Sequence, residues 1–282
     1  MNRRHPYSGR HASLATRHGK QVLISPVMEA VLGLRIEPID VDTDSLGTFS
    51  GEVPRHGTPR ETVIAKARMG MASSGLSLGL ANEGTIGSHP AMPFVVSDVE
   101  VVCFLDDEIG ATVIETETEF GIPTVGVDIE ADRWEEAPLA AGGFPEHGVI
   151  VRPASGLSPV FKGIHVLDDL RAAVVECALH DGSRVVRIES DFRAHHHPSR
   201  QQVIVRAAEH LARRLACLCP RCGTPGWGTA RREAGAPCAL CGCRTRQVLF
   251  EHCECPLCDY TESRDVSPPG GIDPSLCPRC NP

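Results

Sequence analysis

The chain has 282 residues, a formal net charge of -8 at pH 7 and an apolar fraction of 41%, which is enough for about two domains and a packed core. The excess of acidic residues disfavours a general binder of nucleic acid or of anionic membranes, because affinity for phosphate polymers depends on clustered Lys and Arg. No run of about 18 apolar residues and no long apolar N-terminal segment occurs, so neither a membrane span nor a signal peptide is predicted.

The first part of the chain predicts alternating strands and helices. Residues 12–17 form a short apolar strand, followed by a turn that contains Gly19 and by a helix that reaches Leu32. Ser25 and Pro26 leave a second start for this helix open, with Pro26 as its first residue. A strand over residues 34–39 follows. After a polar loop, residues 58–61 match a capping box at the start of a second helix.

The next part of the chain continues this alternation. A strand over residues 76–81 is predicted to end at residues 82–84, and residues 95–105 and 111–117 resemble a hairpin. Further elements follow the same patterns, namely strands over residues 149–151 and 185–188 and helices over residues 167–178 and 198–215. These elements indicate an α/β domain over residues 11–216, with helices packed on a mixed sheet. Residues 1–10 are expected to be a disordered N-terminus.

Eleven of the thirteen cysteines lie in residues 217–282, which we call the tail. Eight of them form four CxxC knuckles, and this spacing is typical of two structural Zn²⁺ sites. The eight predicted ligands are Cys219, Cys222, Cys238, Cys241, Cys255, Cys258, Cys277 and Cys280. Loops of 15 and 18 residues predict that the first knuckle shares an ion with the second, and the third with the fourth. The tail is therefore expected to form two small zinc ribbons.

The remaining cysteines of the tail leave the ligand choice open at individual positions. Cys217, Cys243 and Cys253 lie beside the knuckles, so each could replace a neighbour as a ligand. Thiol-rich knuckles favour metal over disulfides in a reducing compartment, and a cytoplasmic location is the expectation.

The net charge of the tail indicates which kinds of partner it can bind. Its seven Arg residues balance its seven acids, and eight thiolates with two Zn²⁺ would make the loaded tail acidic. Zinc ribbons that bind nucleic acid need a basic face, so nucleic acid is an improbable partner. A structural role, or docking of a protein partner, fits the tail better.

Candidate residues for chemistry lie in the α/β domain. Lys20 and Thr16 follow the first strand, where backbone N–H groups at a helix N-terminus stabilise anions. Glu61 and Glu83 are carboxylates of the kind that bind Mg²⁺ beside phosphates. Ordinary structural roles remain open: Glu61 as the third residue of its capping box, Glu83 as a strand-end acid and Lys20 as a solvated charge.

The order and spacing of these residues resemble a known family, the inosine/xanthosine triphosphate pyrophosphatases. Residues 15–20 are similar to its first-strand T-N-x-x-K signature, residues 57–67 to its second-helix motif and residues 76–84 to the strand that leads to its metal-binding acid. Residues 143–151 resemble its G-F-x-x-D-P-x-F segment. The resemblance covers about residues 10–215. Arg17 stands where the family has Asn, and Asn82-Glu83 where it has paired Asp residues.

The resemblance implies an elongated mixed sheet with a cleft, and metal-dependent hydrolysis of a nucleoside triphosphate to a monophosphate and pyrophosphate. Mg²⁺ would lie between the catalytic residues Glu61 and Glu83, while Thr16 and Lys20 would hold the phosphates. The resemblance is also compatible with a homodimer.

The last helix of the α/β domain adds two further candidates. Residues 193–200 stand where the resembled family has a Ser-His-Arg signature, and they supply Arg193 and Arg200 as further phosphate-binding candidates. An Arg in the first turn of a helix opposes the helix dipole, so Arg200 is better explained beside an anion. His195, His196 and His197 are either an exposed loop or part of the same site.

A second resemblance covers nearly the whole chain. Residues 47–52, 89–94 and 193–200, together with the end of the tail at residues 277–282, resemble an uncharacterised family of bacterial proteins with a domain of unknown function. Two hypotheses therefore remain, a Mg²⁺-dependent nucleotide hydrolase and a non-catalytic scaffold that binds a nucleotide or a protein. A thiol enzyme is disfavoured, because Cys103 and Cys177 lie in apolar patterns typical of buried structural cysteines.

Overall fold

The fold is that of a computed structural model, which describes residues 4–16, 19–47, 53, 57–89, 92–156, 158–181 and 184–282. Arg17 and most of the 47–52 segment named above lie outside these residues. None of the helices in the described part of the chain combines the length and the apolar composition that crossing a membrane requires.

Two consecutive strand-helix-strand units build one half of the larger sheet. They consist of β1 (His11–Ala15), α1 (Gln21–Leu32), β2 (Arg35–Ile39), α2 (Pro59–Ser74) and β3 (Leu78–His89). β1 is parallel to both β2 and β3, so it lies between them. β4 (Met92–Asp106) and β5 (Ala111–Phe120) then form the predicted hairpin and complete a mixed sheet of order β2-β1-β3-β4-β5.

Helices cover both faces of this sheet. α1 and α5 (Pro198–Ala216) pack on one face, where Leu80, Val102 and Phe104 share a core with Ile204 and Leu211. α2 packs on the other face. There, the buried side chains of α2 contact those of β3 and β4: Val63, Ala67, Met71, Ala81, Val101, Cys103 and Leu105. Because side chains alternate along a strand, Asn82 and Gly84 lie on the α1–α5 face and Glu83 on the α2 face.

A second, antiparallel sheet follows in the chain. It contains β6 (Gly126–Glu130), β7 (Val149–Pro153), β8 (Phe161–Ile164) and β9 (Val185–Ser190) in the order β6-β9-β7-β8. The short α3 (Ala137–Ala141) and α4 (Leu167–Asp181) flank it, and Val151, Leu170, Val174 and Ile188 are part of its core. The prediction of an α/β domain with a mixed sheet between helices is therefore confirmed, although β6 and β8 were not predicted.

Two local predictions need correction, and the start of α1, which the sequence left open, is resolved. Residues 4–10 are ordered, because Tyr7 is buried against Phe104 and its hydroxyl donates to Asp106 Oδ2 at 3.1 Å. α1 begins at Gln21 and contains Pro26 within its second turn, so Lys20 is its N-cap residue. β3 continues to His89, which places Glu83 inside a strand. Strand pairing with β4 extends through this polar stretch, which no local pattern indicates.

The tail forms a small antiparallel sheet of three strands, β10 (Gly228–Ala234), β11 (Val248–Glu254) and β12 (Thr261–Asp265). Trp227 and Tyr260 contact each other at 5.1 Å between ring centroids, beside the buried Cys219 and Cys253. Few other large apolar side chains are buried in the tail, so its fold depends on its cysteines.

Candidate functional site

Two groups of four cysteines lie in the tail, and each could hold one metal ion. The first group is Cys219, Cys222, Cys255 and Cys258, and the second is Cys238, Cys241, Cys277 and Cys280. The Sγ atoms are 3.8 Å apart for Cys219 and Cys258 and 3.6 Å apart for Cys222 and Cys255. Four thiolates at about 2.3 Å from a tetrahedral Zn²⁺ would be about 3.8 Å apart, so the spacing is consistent with zinc.

The eight predicted cysteines form two tetrads that could each hold a metal ion, but the predicted pairing of the knuckles is wrong. The first knuckle shares its site with the third, and the second with the fourth. The antiparallel hairpin explains this, because Gly228 at the start of β10 lies opposite Glu254 at the end of β11. The knuckles before β10 and after β11 therefore meet at one end of the sheet. The lengths of the loops between the knuckles do not show which knuckles share a site.

The three spare cysteines lie outside both tetrads. Cys253 is buried within β11, and Cys217 is exposed at the end of α5. Cys243 accepts a hydrogen bond from Arg279 Nη1 at 3.3 Å. Backbone N–H groups of Leu240 and Leu257 donate to the ligand sulfurs of Cys238 and Cys255 at 3.4 Å, as is common around metal-bound thiolates.

A second candidate site lies inside the α/β domain, where ionisable side chains gather around Asn82. We call it the switch-point cluster, and it consists of Lys20, Lys66, Asn82, Glu83, Asp98, Glu100 and Arg200. A chain of hydrogen bonds connects four of its residues, each in or at the start of a different helix or strand. Lys20 Nζ donates to Asn82 Oδ1 at 2.8 Å, and Asn82 Nδ2 donates to Glu100 Oε2 at 2.8 Å. Arg200 Nε completes the chain by donating to Glu100 Oε1 at 2.6 Å.

The position of this cluster in the fold points to ligand binding. β1 ends at Ala15, whereas the neighbouring strand β3 continues beyond it. The chain passes from β1 to β2 on one side of β1, and then through α2 to β3 on the other side. Open α/β sheets bind ligands at such a switch point, beyond the carboxyl ends of the parallel strands. Lys20 is the N-cap residue of α1, so the positive end of the helix dipole also lies there.

Lys20 and Arg200 give the cluster two cations in a buried setting. Burial and then the positive charge of Arg200 lower the pKa of Lys20 to about 7. The side chain of Arg200 is 1% exposed, and Nη1 also donates to the carbonyl oxygen of Phe192. Burial raises the pKa of Glu100, but Arg200 and Lys20 outweigh this effect and hold it below its usual value.

The two acids that were not predicted, Asp98 and Glu100, follow each other on one face of β4. Asp98 is 0% exposed, and neither of its carboxylate oxygens has a hydrogen-bond donor among the described residues. Burial and the negative charge of Glu100 raise the pKa of Asp98 to about 8, so its carboxyl is largely protonated at neutral pH and can donate to Glu100. Acids at alternate positions of an apolar strand were the sequence signal for this site.

The structure brings together only some of the predicted site residues. Lys20, Glu83 and Arg200 belong to the cluster, and Glu83 pairs with Lys66 at 2.6 Å on the α2 face. Thr16 follows β1, and its hydroxyl is buried without a hydrogen-bond partner among the described residues. Glu61 instead closes its capping box, in which Thr58 N–H donates to Oε2 at 2.7 Å. That structural role accounts for its position without a metal.

Arg193, His196 and His197 have structural contacts, whereas His195 is exposed. Arg193 Nη2 pairs with the buried Asp191 at 2.5 Å, so the structure places it with the second sheet. His165 and His196 share a hydrogen bond of 2.9 Å between Nε2 and Nδ1. His197 caps α5, because its Nδ1 accepts from the N–H of Arg200 at 3.3 Å and its Nε2 donates to the carbonyl oxygen of Pro123 at 3.2 Å.

The cap at His197 predicts a pH-dependent stability. Burial and then His147 lower its pKa from 6.5 to about 4, so the folded state binds this proton more weakly than the unfolded state. Stability is then fully present above pH 6.5 and is lost as the pH falls towards 4. In His197→Asn, the loss should be smaller than in the wild type by up to about 3 kcal/mol. Urea unfolding at several pH values measures it, with the exposed His11→Asn as control, and parallel curves for wild type and His197→Asn would contradict the assignment.

A search of curated proteins finds no match to this chain. A family model described as a domain of unknown function (DUF6671) matches residues 66–282, which are about three quarters of the chain. The matched segment starts at Lys66 and includes the rest of the switch-point cluster except Lys20, together with both cysteine tetrads. The chain therefore belongs to the DUF6671 family.

Proposed function

We propose that the chain hydrolyses a phosphoanhydride bond of a nucleotide, converting a nucleoside triphosphate to a monophosphate and pyrophosphate, at the switch-point cluster. The observation that carries the proposal is the buried chain of contacts from Lys20 at the N-terminus of α1 to Arg200 at the start of α5. Two cations and a helix N-terminus at one switch point are the arrangement that phosphate oxygens require. The tail would then be a structural zinc module.

The fold is compatible with this proposal. The resemblance to the triphosphate pyrophosphatases implies a long mixed sheet with the phosphate-binding Lys after the first strand. In this chain Lys20 follows β1 of a mixed sheet whose strands β3 and β4 have 12 and 15 residues. These features support a pyrophosphatase-like architecture, in which the cluster would lie at the phosphate end of the cleft.

The residues of the cluster suggest separate roles in the reaction. Lys20 and the first turn of α1 would bind the phosphate oxygens, with the Thr16 hydroxyl beside them. Arg200 would offset the charge that builds on those oxygens in the transition state. Glu83, which Lys66 holds in place, would accept a proton from the attacking water.

The fit of a divalent cation depends on the carboxylates. The Glu61–Glu83 pair fits poorly, because Glu61 is exposed in its capping box and Glu83 is engaged by Lys66. Asp98 fits better, because its buried oxygens have no donor among the described residues. When bound, a divalent cation would neutralise charge on the phosphate oxygens.

Turnover of nucleotides tests the proposal. The zinc-loaded chain with Mg²⁺ should release pyrophosphate from at least one of a panel of purine and pyrimidine triphosphates that includes the inosine and xanthosine forms. Lys20→Met and Glu83→Gln should each lower kcat/KM at least about 100-fold, since both would act on the reacting phosphate or water. Lys162→Met removes a lysine from the second sheet and should keep the activity. A folded, metal-loaded wild type that releases no pyrophosphate from any nucleotide would contradict the proposal.

The alternative is a scaffold that binds a nucleotide without consuming it. The ion pair between Lys66 and Glu83 favours this alternative, because it occupies the candidate base. Equilibrium binding of a triphosphate that is recovered intact after prolonged incubation would support the scaffold over the enzyme.

A further inference from the structure

The carboxyl group of Asp98 is buried within the switch-point cluster and has no hydrogen-bond donor among the described residues. The side chain is 0% exposed, and neither oxygen is satisfied within that part of the chain. An ionised carboxylate buried without donors is strongly destabilising, so Asp98 stays largely protonated at neutral pH unless a positive charge or a metal reaches it. A group that neutralises Asp98 from outside the chain would remove this penalty.

Glu100 lies two residues further on the same face of β4. Its Oε1 accepts from Arg200 and its Oε2 from Asn82, which leaves each oxygen a second lone pair. Asp98 and Glu100 are close enough for one carboxyl to donate to the other. Two neighbouring carboxylates with available lone pairs are ligands for a hard cation.

The two carboxylates do not complete a metal site by themselves. Apart from the two cysteine tetrads, the described residues contain no group of three or more His, Cys, Asp or Glu ligand atoms within 4.8 Å of one another. Mg²⁺ commonly binds through one or two carboxylates and takes its other ligands from water and substrate phosphates. The missing ligands would therefore come with the phosphate.

The charges of the cluster favour the same arrangement. Three acids face three bases, so a polyphosphate attracted by Lys20 and Arg200 would bring an excess of negative charge next to Asp98. A divalent cation between Asp98 and the phosphate removes this repulsion. A bare cation, in contrast, would have Lys20 and Arg200 as neighbours without a phosphate to offset their repulsion.

We propose that Asp98, together with Glu100, binds a hard divalent cation such as Mg²⁺ or Mn²⁺ that enters with a phosphoanhydride, in place of the Glu61–Glu83 pair. The identity of the anion in this assignment rests on the proposed function. Asp98 supplies both carboxylate oxygens on the α1–α5 face, where Lys20 and Arg200 hold the phosphate. Glu83 remains paired with Lys66 and near Lys20.

Retention of Mn²⁺ by the full-length, zinc-loaded chain tests the site without any turnover. Equilibrium dialysis against Mn²⁺ with inorganic pyrophosphate, followed by elemental analysis, should find about one Mn²⁺ per wild-type chain and much less without pyrophosphate. Asp98→Asn should weaken retention at least ten-fold. Glu61→Gln should retain Mn²⁺ like the wild type, since its carboxylate only caps α2.

Control measurements distinguish the loss of the cation site from the loss of the fold. Asp98→Asn and a second variant, Asp98→Ser, should keep two Zn²⁺ per chain and a cooperative unfolding transition. The proposal is overturned by wild-type retention in either folded Asp98 variant, by lost retention in Glu61→Gln, or by a wild type that holds no Mn²⁺ with pyrophosphate. If Mn²⁺ is held through Asp98 but no nucleotide is hydrolysed, the cation site stands and only the catalytic function fails.

Discussion

Double substitutions of cysteines should change the zinc content of the tail according to the interleaved pairing. Cys222 and Cys255 belong to one tetrad, whereas Cys241 belongs to the other. Cys222→Ser with Cys255→Ser should therefore leave one Zn²⁺ per chain, and Cys222→Ser with Cys241→Ser should leave none. Consecutive pairing of the knuckles predicts the opposite result, so elemental analysis of the two purified variants distinguishes the arrangements directly.

Complete removal of zinc should unfold the tail and spare the α/β domain. A structural Zn²⁺ contributes about 10–16 kcal/mol of apparent folding free energy, and the tail buries too few large apolar side chains to replace it. Hydrogen exchange after treatment with a chelator should show fast exchange in β10, β11 and β12 and continued protection in β3 and β4. Cys217→Ser, outside both tetrads, should keep two zinc equivalents. A protected tail without metal would show that the cysteines are not ligands.

Removal of the buried charge of Arg200 should strongly destabilise the α/β domain. Arg200→Met leaves Glu100 buried without its main partner, and breaking a buried ion pair in this way costs about 3–5 kcal/mol. Glu100→Gln in the same chain should recover much of that loss, because it removes the uncompensated charge. Urea unfolding of the two single variants and the double variant gives the coupling energy.

A surface arginine on the same helix provides the control. Arg206 is 35% exposed and pairs with Glu117 and Glu119 on β5. Exposed pairs of this kind contribute about 0–1 kcal/mol, so Arg206→Met should have a small effect. If Arg200→Met were no more destabilising than Arg206→Met, the buried pair would not be an important part of the fold.

Local patterns were sufficient for the elements that local chemistry determines. The capping box at Thr58 starts α2, the hairpin turns at residues 106–110, and the four-residue recurrence of apolar side chains defines α5. The eight cysteines of the two tetrads were likewise evident, because a CxxC knuckle is a local motif. Each of these features depends on residues a few positions apart.

Features that depend on pairing between distant parts of the chain could not be predicted from the sequence. The sharing of knuckles follows from which strands lie side by side, and the length of β3 follows from its partner β4. Asp98 and Glu100 were missed because charged residues in a strand usually face solvent, whereas here α5 covers them. The resemblance to the triphosphate pyrophosphatases assigned Glu61 to a metal, although the capping box at residues 58–61 already indicated its structural role.

The pair between Glu100 and Arg200 also constrains the order in which the chain can mature on the ribosome. The two residues are 100 positions apart, and α5 is the last element of the α/β domain to be synthesised. Until α5 emerges, the face of β4 that carries Asp98 and Glu100 lacks this helix, and Glu100 lacks the guanidinium that balances its charge. A nascent chain released before residue 200 would therefore leave the α5 side of β4 exposed to water, with Glu100 unpaired.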